Sequence, residues 1–198
     1  MAGSVTRIGV LALQGAFREH ILSVEALDAS AVAVRLPHQL EDCDGLIIPG
    51  GESTAISKLM VSYGFYEPIQ ERHARGMAVW GTCAGAILIA KAIVDGIEDQ
   101  RGLDLMDITV RRNAYGRQVD SFEADLEFAH IGEEFRGVFI RAPWIDGVGE
   151  GVEVLAKHED HIVAARQGTL MATTFHPELT GDPRVHRYFI NKVVGSES

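Results

Sequence analysis

The apolar positions of this 198-residue chain fall into two regimes. In the first, short continuous apolar runs alternate with longer segments of helical spacing. Residues 7–13 (RIGVLAL) are nearly all apolar, the pattern of a strand buried on both faces. Gln14-Gly15-Ala16 turns the chain, and residues 17–27 follow with helical spacing. A second strand is expected over 31–36, stopped by Pro37, and a third over 45–48. The third runs into Pro49-Gly50-Gly51-Glu52-Ser53-Thr54, a glycine-rich turn entering a helix over 55–63, with another helix over 66–74. Residues 77–80 make a fourth strand, and the stretch 84–92, rich in Ala, Ile and Leu, reads as a helix. Strands alternating with helices predict an α/β fold with a mainly parallel central sheet flanked by helices.

The second regime begins after Gly96. Segments 105–111, 122–128, 137–142, 152–157, 162–167 and 170–174 are short, rich in Val, Ile, Phe and Thr, and separated by turn residues. They predict antiparallel strands added to the parallel core or folded over it. Residues 183–194 read as a closing helix, with Asp182 as N-cap and Pro183 at the first helical position. Residues 1–198 together read as a single domain.

Composition narrows the function classes. Hydrophobic residues make up 46% and charged residues 23%, ordinary values for a soluble globular protein. A net charge of −10 argues against a nucleic-acid partner and an anionic membrane surface. No apolar run reaches the roughly 20 residues that span a bilayer, and no secretory leader is visible. Two cysteines, Cys43 and Cys83, imply no disulfide framework. A reduced, cytoplasmic setting suits a free thiol.

The candidate chemistry centres on Gly81-Thr82-Cys83-Ala84-Gly85, between the fourth strand and the helix after it. A Gly-x-Cys-x-Gly at a strand-to-helix turn is the cysteine form of the nucleophile elbow. It sets the sulfur at a helix N-terminus, where the dipole favours an anion. The Ala84 amide follows the nucleophile and can donate to an oxyanion. Taken alone, a cysteine in an apolar stretch also fits a small buried hydrophobe. A base is available in Thr174-Phe175-His176-Pro177-Glu178, where His176 and Glu178 point to one side of an extended chain. Glu178 would then orient the imidazole. His-Pro-Glu also fits a turn that simply ends a strand. Six of the other histidines, His20, His38, His73, His158, His161 and His186, stand mostly in polar contexts and are expected at the surface or as caps. Cys43 lacks flanking glycines and is expected to be inert. Cys43, Cys83 and His176 lack the close spacing of a zinc site, so no metal is expected. Pro49-Gly50-Gly51 offers a second oxyanion donor. As a phosphate cradle it lacks the Gly-Lys-Ser/Thr ending.

Together these stretches resemble the class I (triad) glutamine amidotransferase family. Within it they are most similar to the glutaminase subunits of pyridoxal 5′-phosphate synthases. The resemblance rests on Leu13-Gln14-Gly15-Ala16 with Glu19-His20, the Pro49 to Thr54 turn, the Cys83 elbow, Arg112-Asn113 with residues 116–122, Phe139-Ile140-Arg141-Ala142-Pro143, and Phe175-His176-Pro177-Glu178-Leu179. Residues 95–107 and the tail after Lys192 match no motif of the family. The resemblance implies the flavodoxin-like fold of class I glutaminases. It implies hydrolysis of L-glutamine to glutamate and ammonia through a Cys83 thioester, with a Cys83–His176–Glu178 triad and an oxyanion hole from Gly51 and Ala84. Gly51, Glu52, Ser53, Arg112, Ile140 and Arg141 are implied to bind glutamine. The implied partner is a barrel-shaped synthase subunit that consumes the ammonia. Pyridoxal phosphate is then a product of the complex, and this chain needs no cofactor of its own. Two other readings remain open to the residues alone: a cysteine hydrolase or peptidase on a similar sheet, and a non-catalytic regulatory subunit.

Overall fold

The computed structural model describes residues 5–96, 101–114, 121–132 and 134–195. The first regime folds largely as its pattern dictates. The elements are β1 (Arg7–Leu11), α1 (Phe17–Glu25), β2 (Ser30–Val34), β3 (Gly45–Ile48), α2 (Ser53–Tyr63), α3 (Tyr66–Ala74), β4 (Ala78–Thr82) and α4 (Ala84–Ile89). β1 pairs in parallel with β2 and β3, and β3 with β4. The continuous apolar runs are needed because both faces are covered. Along β3, Leu46 and Ile48 join Ile56, Met60, Val79 and Leu88 in one cluster. Ile47, between them, points to the other face with Val10, Trp80, Met171 and Phe189.

The second regime gives β5 (Ala90–Val94), β6 (Met106–Arg111), β7 (Ser121–Leu126), β8 (Phe135–Ile140), β9 (Trp144–Val148), β10 (Glu153–His158), β11 (His161–Gln167), β12 (Leu170–Thr173) and α5 (Arg184–Tyr188). The large sheet runs β2-β1-β3-β4-β12-β11-β9-β6-β5, with β10 on β11; β7 and β8 form a separate antiparallel pair. Among the described residues, no helix is long and apolar enough to cross a membrane.

Four expectations need correction. The helix over 84–92 stops at Ile89, and residues 90–94 form β5, parallel to β6. The last carbonyls of α4 are taken from outside: Leu103 N–H donates to Leu88 O at 2.7 Å and Leu105 N–H to Ile89 O at 3.1 Å. The final strand is not antiparallel to everything around it; β12 lies parallel to β4 and antiparallel to β11. β9 was not expected, because Asp146 and Gly147 interrupt its apolar pattern. The closing helix is shorter than 183–194, with α5 passing into a π-helical turn over Phe189–Val193. It starts at Arg184, with Pro183 rather than Asp182 at the N-cap position, although Asp182 Oδ1 still accepts the Arg184 N–H at 3.0 Å. Within the stretch 116–122, residues 116–120 lie outside the described residues.

The parallel pairing decides where a site can form. β1, β3, β4 and β12 all end at the same edge, and their following turns carry Gln14, Gly50-Gly51, Cys83 and His176. Ligand sites in such sheets lie beyond the carboxyl ends of the strands.

Candidate active site

Cys83 sits between β4 and α4 with φ 49° and ψ −104°, a left-handed conformation for a non-glycine residue. Such a residue costs about 1–3 kcal/mol and persists only where its surroundings over-determine it. Here its N–H donates to Thr173 O at 2.8 Å, and its carbonyl accepts from Ala86 and Ile87 at 3.1 and 3.4 Å. The flanking glycines are required by close backbone approach. A Cβ on Gly81 would lie 2.3 Å from Gly85 O, and one on Gly85 would lie 1.9 Å from Ile48 O. The elbow is therefore packed against both β3 and itself.

His176 follows β12, and its N–H donates to Val138 O of β8 at 2.8 Å. Its Nδ1 lies 2.7 Å from Glu178 Oε1, and its side chain lines the same cleft as Cys83. The pairing with Glu178 is as expected, but the backbone is not extended: Pro177–Leu179 is a single 3-10 turn. Burial opposes a charge on His176, yet the hydrogen bonds and charges of Cys83 and Glu178 outweigh it and raise its pKa to about 10. The imidazole is thus held as imidazolium at neutral pH, beside the sulfur.

A cleft of about 450 Å³ opens at this edge. Cys83, Ala84, Ile87 and His176 form one wall, and Gln14, Gly51, Glu52 and Ser53 another. Arg112, Asn113, Ile140, Arg141 and Pro143 complete it. All the expected site residues therefore meet in one cleft except Glu178, which is buried behind His176. The Ala84 N–H belongs to the first turn of α4, where no intrahelical acceptor exists. Gly50 O accepts the Ala16 N–H at 3.1 Å, so the trans 50–51 peptide turns its Gly51 N–H away from the β1–α1 turn. Arg141 carries a φ of 42°, a second strained position at the rim.

Glu52 has a structural task as well. Its carboxylate caps α2, accepting Thr54 N–H at 3.0 Å and Ala55 N–H at 2.7 Å, and lies 3.7 Å from Arg112 Nη2. Partial burial opposes ionisation, but those N–H groups prevail and hold its pKa below the usual carboxylate value. Gln14 is a further residue of the site, beyond those to which the sequence motifs assign a role. It lines the cleft, and its Oε1 accepts the Glu52 N–H at 2.9 Å, bracing the glycine turn. A polar residue at the end of an apolar strand was the available signal.

His20 and His186 are not at the surface. They are 0% and 1% exposed. His20 shares the inward face of α1 with Phe17, Ile21 and Val24, so helical spacing places it inside despite its polar neighbours. Burial, then the charges of His186 and His176, push the His20 pKa well below its usual value; burial pushes His186 down to about 3. Both stay neutral in the fold and gain protons on unfolding.

The sign of the pH dependence follows from linkage. For the two lowered imidazoles, the unfolded chain binds more protons below about pH 6.5, so stability falls as pH falls towards 3. For His176 the folded chain binds more, so its contribution is complete below about 6.5 and is lost as pH rises through about 10. Thermal melting is expected to peak near neutrality and to fall by several degrees by pH 4.5. His186→Gln should flatten the acid arm, a change that melting curves across pH 4–8 measure. An equally steep acid arm in the variant would contradict this assignment.

The comparisons with known proteins agree with the geometry. A family model described as the SNO glutamine amidotransferase family matches residues 10–195. The chain is 60% identical over 186 residues to a pyridoxal 5′-phosphate synthase subunit PdxT of Herpetosiphon aurantiacus, covering 92% of this chain and 98% of that one. It is 54% identical to the PdxT of Streptomyces coelicolor, over 94% of this chain and 93% of that one. A crystal structure of a glutamine amidotransferase superposes with a TM-score of 0.89 at 51% identity, covering 95% and 98% of the two chains. The PurLQS structure from Thermotoga maritima, at 16% identity and a TM-score of 0.69 over 94% and 98%, shares the fold. With the matched span taking in both the cysteine elbow and the His-Pro-Glu turn, this chain belongs to the SNO glutamine amidotransferase family.

Proposed function

We propose that this chain is the glutaminase subunit of a pyridoxal 5′-phosphate synthase, releasing ammonia from L-glutamine for a barrel-shaped synthase subunit. One observation carries the chemistry: Glu178 holds His176 at 2.7 Å from behind, and His176 and Cys83 face the same cleft. The identity to named PdxT chains supports the choice of synthase.

The Cys83 sulfur attacks the side-chain amide carbon of glutamine, forming the C–S bond. The oxyanion is held by the N–H groups of Gly51 and Ala84. His176 gives its proton to the leaving nitrogen, and the C–N bond breaks to release ammonia. A water then gives a proton to His176 and attacks the thioester carbonyl. The C–S bond breaks, leaving glutamate and the sulfur as it began. Glu178 fixes the ring and supports its charge. Arg112 and Arg141 suit the α-carboxylate, which a guanidinium can grip with two donors. The Ser53, Ile140 and Glu52 positions frame the rest of the amino acid, with the Glu52 side chain engaged mainly in capping. Two free cysteines among the described residues suit a cytoplasmic setting.

Free ammonia in neutral water is mostly ammonium, which is not a nucleophile, so a docked synthase that takes ammonia directly fits the chemistry. Glutamate release measured with and without the synthase barrel subunit tests the proposal. The isolated chain is expected to turn over slowly, and saturating partner to raise kcat about tenfold or more, a barrier change of about 1.4 kcal/mol, by completing the site. Gly51→Ala, whose Cβ would lie 2.4 Å from Gln14 Oε1, should blunt that activation more than it weakens docking. Full turnover alone, unchanged by a partner that demonstrably binds, would contradict it.

A further inference from the structure

Behind His176 and Glu178 lies a pair of imidazoles that acyl transfer does not use. His20 Nδ1 is 2.9 Å from His186 Nε2. His20 Nε2 is 3.2 Å from Thr82 Oγ1 and 3.3 Å from Glu178 Oε2. The Trp80 ring packs edge-on against both imidazoles, with centroids 5.6 and 4.9 Å away. Two buried atoms at the ends of this row, Glu178 Oε2 and His186 Nδ1, receive no well-directed hydrogen bond.

Those two ends select one tautomer for the row. If His20 carried its proton on Nδ1, it would donate to His186 Nε2. His186 would then hold its own proton on Nδ1, as a buried N–H with no acceptor. His20 would also turn an Nε2 lone pair towards a buried carboxylate oxygen. Buried orphan N–H groups are rarer than under-used acceptors, and the lone pair would repel the carboxylate. With the proton on Nε2 in both rings, His186 donates to His20, His20 donates to Thr82 Oγ1 with its N–H edge 3.3 Å from Glu178 Oε2, and the two atoms left without a hydrogen bond are both acceptors. Both ends therefore favour the same arrangement independently.

We propose that His20 is a positioning residue for the catalytic carboxylate: His186 Nε2–H donates to His20 Nδ1, and His20 Nε2–H, hydrogen-bonded to Thr82 Oγ1 at 3.2 Å, presents its positive edge to Glu178 Oε2 at 3.3 Å. The inference rests on the triad reading given above. With Oε1 hydrogen-bonded by His176 and Oε2 drawn electrostatically towards the His20 N–H edge 3.3 Å away, the carboxylate is held from both sides. The acceptor for His176 Nδ1–H then cannot rotate away, and the face of His176 towards Cys83 stays set. His20 comes from α1 and His186 from α5, so two helices outside the cleft hold the carboxylate in place.

Two measurements test this. Nitrogen NMR of the imidazoles in the wild-type chain should show the Nε2–H tautomer for both His20 and His186; a Nδ1–H tautomer at His20 would overturn the proposal without any variant. In steady-state glutamine hydrolysis with the synthase subunit present, His20→Leu should lower kcat on the order of tenfold with KM nearly unchanged, the scale of one net hydrogen bond. His20→Gln, which keeps an N–H donor, should recover most of it. In a Glu178→Gln background, His20→Leu should change kcat less than about twofold, because the two act through one carboxylate. Equal losses in both backgrounds, or no rescue by glutamine, would mean packing alone and overturn the proposal. Loss of activity in Glu178→Gln with none in His20→Leu would refute this inference only. Undiminished activity in Glu178→Gln would refute the triad reading itself.

Discussion

Cys83→Ala is expected to lower glutamine hydrolysis by roughly 10³-fold or more, the scale seen when the nucleophile of a concerted triad is removed. The melting temperature should hold within a few degrees, because the side chain lost is small and the left-handed backbone at this position is set by the elbow. Cys43→Ala is the matched control and should leave turnover nearly unchanged. Cys43 is 1% exposed, its thiol faces Gln39 O at 3.4 Å, and burial raises its pKa, so it stays a protonated thiol away from the cleft. Glutamate release and thermal melting, measured side by side on the three proteins, separate loss of chemistry from loss of fold. Comparable activity losses in the two variants would remove Cys83 from its role.

Gly85→Ala is expected to damage both stability and turnover. Its Cβ would sit 1.9 Å from the Ile48 carbonyl oxygen, so either β3 or the first turn of α4 must move. Backbone cannot yield as a side-chain tip can, and overpacking of this kind costs about 3 kcal/mol or more. For a chain of this size that is a fall of roughly 6–12 °C in melting temperature. Turnover should fall with it, because the Ala84 N–H and the Cys83 sulfur are both placed by that turn. Gly147→Ala in β9, where a Cβ would meet nothing within 4 Å, should change little. A Gly85→Ala protein that melts and turns over like the wild type would mean that the elbow is not under the steric constraint described.

The sequence pattern carried the parallel half of the fold because β1, β3 and β4 are buried on both faces and so are nearly unbroken in apolar character. It carried the strand-to-helix elbow at Cys83 because close approach of β3, β4 and α4 leaves room only for glycine at two positions. It could not place residues 90–94, since a short run of Ala, Ile and Val fits a buried strand as well as a helix, and the deciding hydrogen bonds come from Leu103 and Leu105. The direction of β12 was hidden for a similar reason: its partners β4 and β11 lie at very different separations along the chain, and local composition does not encode either. His176 and Glu178 were legible by their spacing, although a 3-10 turn rather than extended backbone brings them together. His20 and His186 were not, because polar neighbours in sequence conceal an inward face that only helical phase reveals. The resemblance implies a substrate role for Glu52, whereas its task as the N-cap of α2 depends on where that helix starts.

The central claim is a glutamyl thioester on Cys83. The most direct measurement uses a glutamine analogue bearing an electrophile in place of the side-chain amide, with the adduct mapped by mass spectrometry on the chain bound to its synthase subunit. The account predicts one adduct per chain, on Cys83, forming in step with loss of glutaminase activity and slowed by added glutamine. Stoichiometric labelling of Cys43 with Cys83 untouched, or full glutaminase activity after Cys83 is completely labelled, would contradict it.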